Sequence, residues 1–96
     1  MKIPKSVKIG AYTYRVKYEK SLKRHKLGDV NGICDNEGLT IWLVKGMVGE
    51  QLKITFLHEC LHAIESVYGF ELGEERVSKL DHTLTAFLID NNLGFK

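Results

Sequence analysis

From Glu50 to Tyr68 the chain runs without a proline or a glycine, and Leu57, Leu61, Ile64 and Tyr68 recur along it at spacings of three and four. That periodicity puts the four side chains on one face of an α-helix. Gly69, directly after them, is a suitable C-terminal stop. In a chain of 96 residues such a helix dominates the architecture, because its apolar face must be buried against whatever the rest of the chain builds.

The residues before it read as sheet. In "SVKIGAYTYRVKYEK", Val7 and Ile9 on one arm and Tyr12, Tyr14, Val16 and Tyr18 on the other alternate with polar residues around Gly10-Ala11, the period-two pattern of a hairpin. "VNGICD" and "LTIWL" flank the turn cluster Asn36-Glu37-Gly38 and predict a second hairpin. Residues 19–28, "EKSLKRHKLG", lose the alternation and read as an exposed connection. After Gly69 a second amphipathic helix is expected from about Gly73 to Asn91, with Val77, Leu80, Leu84, Phe87 and Leu88 as its stripe. Strands first and helices second predict an α+β fold: a short antiparallel or mixed sheet of about four strands, then two helices, in a single domain over residues 1–96.

Composition removes several function classes. The net charge of +2, from 14 basic and 12 acidic residues, is too small to indicate nucleic-acid binding, although "KSLKRHK" with the hairpin tyrosines is the segment that would serve it. No run approaches the roughly 20 apolar residues that span a bilayer, and "MKIPKSVKIG" lacks the apolar core of a secretory signal, so a cytoplasmic location is expected. Two cysteines, Cys34 and Cys60, make no disulfide framework and read as small buried hydrophobes.

The central helix carries "HECLH" at residues 58–62. On a helix, residues four apart differ by about 40° in direction, so His58 and His62 can converge on one ion. Glu59, about 100° from His58, stands beside such an ion as a base. The set suits a zinc ion that lowers the pKa of a water while Glu59 takes its proton for attack on a carbonyl. Cys60 points away from the histidines and is a poor fellow ligand.

A third ligand must come from elsewhere. On the final helix, with Glu74 as reference and about 100° per residue, the apolar stripe centres near 280°, so Glu74 lies about 80° from it and Glu75 about 180°. Glu74 is therefore the expected ligand. Either glutamate also suits the positive end of a helix. Asp81, seven residues after Glu74, is the alternative ligand or a partner that orients a histidine. His82 reads as a surface or interhelical residue, and Glu65 as a solvated charge.

The order of "SVKIGAYTYRVKYEK", "GDVNGICDNEGLTIWL", "TFLHECLHAIES" and "GEERVSKLDHTLTAFLIDNN" resembles the small phage and prophage HExxH proteins related to the ImmA/IrrE-type metallopeptidases. The resemblance spans nearly the whole chain, with HExxH its specific motif. It implies a minimal zincin fold, with His58, His62 and Glu74 as zinc ligands, Glu59 as general base, and a peptide or protein substrate, for instance a regulatory protein of the bacterial host. An E-x-x-V stretch beginning at Glu74 stands where the group has E-x-x-A. The chain lacks the extended C-terminal part and helix-turn-helix domain of the larger members, which leaves the substrate open. In a zincin, the strand along the cleft receives an extended peptide by strand addition. "LTIWL" or "VNGIC" is the expected strand here, with Trp42 as a cleft wall or a core aromatic. The alternative reading is a non-catalytic phage protein-binding domain with a structural or vestigial metal site, which a fourth protein ligand would favour.

Overall fold

A computed structural model describes residues 2–94. Six strands, β1 (Ser6–Ile9), β2 (Tyr12–Glu19), β3 (Leu22–Arg24), β4 (Gly28–Val30), β5 (Gly32–Asp35) and β6 (Thr40–Val44), precede two helices, α1 (Gly49–Tyr68) and α2 (Glu74–Asp90). The fold is α+β, with a four-stranded mixed sheet in the order β1-β2-β6-β5 and a separate β3-β4 ribbon.

Both expected hairpins form. β1 and β2 pair antiparallel around Gly10, whose φ of 60° is the left-handed conformation the turn needs. β5 and β6 pair antiparallel across a turn in which Asp35 Oδ1 accepts the Gly38 N–H at 2.9 Å. The two hairpins join through the parallel pair β2-β6, which makes β6 an interior strand and β5 an edge.

Alternation along β2 and β6 sends Tyr14, Val16, Ile41 and Leu43 to one face, where they form the core with Phe56, Leu57, Cys60 and Ala63 of α1. Burying each of these large side chains stabilises the fold by about 1.5–3 kcal/mol. Tyr14 is buried, and its hydroxyl donates to Asn36 Oδ1 at 2.8 Å. Trp42, one residue from Ile41 and Leu43, faces the other side of the sheet, where Lys17 Nζ stands 5.7 Å from its ring centroid. It is half-buried and neither walls the cleft described below nor enters the core.

Two expectations need correction. Residues 19–28 are not a plain connection: Leu22–Arg24 pairs with Gly28–Val30, and "VNGICD" is consequently divided between β4 and β5 at Asn31. Strands of three residues carry too little alternation to read, and Leu22 is the ribbon's one buried side chain. Helix α2 is also rotated relative to its apolar stripe. Val77, Asp81 and Thr85 are buried, whereas Leu80 and Phe87 are exposed. On the same wheel the buried face centres about 60° further round, which brings Glu74 closer to the α1 interface. The Asp81 bond to a histidine of α1 favours this rotation, and Thr85 can be buried because its Oγ1 donates within α2 to the Asp81 carbonyl at 2.6 Å.

Both cysteines are free; Cys60 is buried, and Cys34 is half-buried with its thiol donating to Asn36 Oδ1 at 3.3 Å. Burial, and for Cys34 the Glu59 charge, pushes both thiols up from 9.0 to about 12. At pH 8 their thiolate is therefore about a thousandfold scarcer than in the unfolded chain. Reaction with a disulfide reagent is expected to be correspondingly slow until denaturant is added; native Cys60 reacting at the denatured rate would contradict this.

Candidate metal centre

Helix α1 presents His58 and His62 one turn apart toward α2, their ring centroids 4.9 Å from each other. Gly69 ends α1 in the left-handed conformation, with φ 72°, and turns the chain back so that α2 begins beside them. The first residue of α2, Glu74, then reaches both rings: Oε1 lies 2.8 Å from His58 Nε2 and Oε2 lies 2.8 Å from His62 Nε2. The two Nε2 atoms are 3.2 Å apart.

Each histidine is held from behind by a carboxylate. His58 Nδ1–H donates to Asp81 Oδ2 at 2.7 Å, and His62 Nδ1–H donates to Glu65 Oε1 at 2.6 Å. With Nδ1–H committed to a carboxylate in each ring, a neutral imidazole leaves its Nε2 lone pair facing the other ring and the Glu74 carboxylate. Without a shared cation such a group of acceptors repels itself. Donors of a tetrahedral zinc site with bonds of 2.0–2.1 Å lie about 3.3 Å apart, near the separations found here, so the residues fit the ion. Among the described residues these three form the one group of metal-ligating side chains whose donor atoms all lie within 4.8 Å of one another.

Glu65 is no solvated charge. Its Oε2 accepts the backbone N–H of Leu72 at 2.6 Å and of Gly73 at 3.2 Å. Burial works to raise its carboxyl, and the Leu72 N–H, His62 and the Gly73 N–H outweigh it and hold it below its ordinary value. One side chain thus orients a ligand and ties down the loop that delivers another. Its position three residues after His62 was the available sequence signal. Asp81 bonds His58 on the side away from Glu74, and its other oxygen bonds His82, whose ring is exposed and also contacts the Ser78 carbonyl. Glu75 lies away from the centre and pairs with Lys79 at 3.4 Å. Replacing Asp81 with Asn is expected to weaken zinc binding by about 10–100-fold without unfolding the chain, as loss of an orienting partner does. Competition against a colorimetric chelator would measure it, and unchanged affinity would remove Asp81 from the site.

Glu59 is 6% exposed and lies where β5 passes α1. Space for it comes from Gly32, where an added methyl would stand 3.0 Å from Glu59 Cγ and 3.1 Å from Oε2. Burial raises the Glu59 carboxyl above its ordinary range, against the pull of His58, His62 and Arg24. A carboxylate so placed is a stronger base than one in water.

Two hollows adjoin the centre. One, of about 700 Å³, runs along β5 past Ile33, Cys34 and Asn36 to Glu59, His62 and Glu74. The other, of about 500 Å³, is lined by Leu27, Val30, Ile54, His58, Glu59 and Asp81 among others. Arg24 lines both, a contribution of the ribbon that its sequence concealed. Among the described residues, no helix is long and apolar enough to cross a membrane. Comparison with protein-family models, with curated proteins and with solved structures returns no match.

Proposed function

We propose that this chain is a zinc-dependent peptide hydrolase with a minimal zincin-like fold, akin to the small phage HExxH proteins, acting inside a bacterial host on an extended segment of a protein. The observation that carries this reading is the convergence of two histidine Nε2 atoms and the Glu74 carboxylate, with Asp81 and Glu65 bonded to the far side of the rings. His58, His62 and Glu74 would hold a zinc ion, which would supply a Lewis acid for activating water and polarising a carbonyl. Glu59, buried beside these ligands, accepts the proton of the attacking water and returns it to the leaving nitrogen.

Strand β5 supports the substrate class. It is paired by β6 on one side only within its sheet, and the larger hollow follows it, so an extended peptide can bond to its free edge. "VNGIC" rather than "LTIWL" is the strand at the cleft, since β6 is interior. Asp81 spends Oδ2 on His58 Nδ1, opposite the Nε2 atoms, and so favours a three-ligand catalytic centre over a four-ligand structural one.

The test is metal analysis of the purified protein followed by incubation with denatured casein and a mixed peptide library. One zinc per chain and cleavage that chelator stops and zinc restores are expected. Zinc without cleavage would favour the protein-binding domain, and absence of zinc after loading would reject the metal centre.

A further inference from the structure

The geometry points to Arg24 as the residue that stabilises the oxyanion formed during hydrolysis, an inference that rests on the function proposed above. Among the described residues, only Arg24, Glu59 and Glu74 line both hollows. These three therefore mark the line along which the two halves of the cleft meet, and Glu59 and Glu74 are the proposed base and a metal ligand. A peptide lying through both halves has its reacting carbonyl at this line. Arg24 comes to it from β3, the first strand of the ribbon, whereas Glu59 and Glu74 come from the two helices.

Charge makes the placement specific. Apart from Arg24, no lysine or arginine among the described residues lines either hollow, whereas Glu59, Glu65, Glu71, Glu74 and Asp81 do. A lone guanidinium in an acidic cleft offers several N–H donors to one anionic oxygen and cannot lose its proton. Water adds to the carbonyl carbon, the π pair moves to oxygen, and Glu59 takes a proton. Arg24 donates to the resulting oxyanion. Glu59 then protonates the amide nitrogen, the oxyanion pair re-forms the C=O bond as the C–N pair departs with nitrogen, and acid and amine leave.

The substrate being unidentified, the probe is phenylphosphonate, a tetrahedral anion, titrated into Co²⁺-loaded protein and read by the cobalt absorption spectrum. Wild type is expected to bind it, Arg24→Gln to bind it about 10²-fold more weakly without weaker Co²⁺ binding, and Arg24→Lys to fall between. Lys23→Gln removes the same charge from the ribbon outside the cleft and is expected to match wild type. Equal affinity in wild type and Arg24→Gln, equal losses in Arg24→Gln and Lys23→Gln, or no phosphonate binding by the Co²⁺-loaded wild type would overturn the assignment. Failure to bind Co²⁺ at all, read in the preceding metal titration, would instead reject the centre on which the assignment rests.

Discussion

Glu59→Gln is expected to keep the fold and the zinc of the parent chain while lowering peptide hydrolysis by about 10²–10⁴-fold, the range lost with a positioned acid-base group. Glutamine has the same shape, so it fits beside Gly32 and Thr55 without new contacts. It carries no charge, which relieves the desolvation that raises the Glu59 carboxyl, so the variant should melt no lower than wild type. It cannot take up a proton, and that is the property the reaction needs. Three readings on one preparation decide the matter: zinc content, melting temperature and cleavage rate. Undiminished cleavage would remove Glu59 from the chemistry, and lost zinc would make it a ligand.

His62→Ala has the largest effect expected on the metal. It removes a donor outright and leaves Glu65 and Glu74 without their shared partner, so zinc affinity should fall by more than the roughly 10–100-fold attached to an orienting residue. The ligands also join α1 to α2, which couples the metal to the fold. Zinc at a hundred times its dissociation constant stabilises the folded state by about 2.7 kcal/mol, worth about 10–20 °C in a domain of this size. Chelator should lower the melting temperature of wild type by that margin and leave His62→Ala unmoved. A variant that binds zinc as tightly as wild type would place the metal elsewhere.

The asymmetry between what could and could not be read follows the range of the forces involved. Helix α1 was legible from Glu50 to Tyr68 because its signals, the absence of Gly and Pro, the three-four spacing and the stop at Gly69, all act within a few residues. The β1-β2 and β5-β6 hairpins were legible for the same reason. The orientation of α2 was not. Its apolar stripe pointed to Leu80 and Phe87, but the bond from Asp81 to His58 favours the rotation that puts Val77, Asp81 and Thr85 inward, where Thr85 is satisfied within its own helix. Hydrophobic periodicity is blind to that competition, because a satisfied buried carboxylate looks like surface in a sequence.

The candidate site divides along the same line. His58, Glu59 and His62 share one helix, and 3.6 residues per turn alone bring the two rings together. Glu74 was reached by helical geometry on a second element, and the rotation of α2 carried it toward the centre rather than away. Glu65 and Arg24 required the tertiary structure. Glu65 becomes a linchpin only when the chain reverses at Gly69 and aims the N–H groups of Leu72 and Gly73 at it. Arg24 becomes part of the cleft only when a ribbon of two three-residue strands folds beside β5. The sequence by itself determined the helix, the hairpins and the facing histidines, since each follows from local stereochemistry and spacing. Which wall the basic segment would form, and which carboxylates would hold the rings, depended on contacts between residues far apart in the chain, and only the assembled fold supplies those.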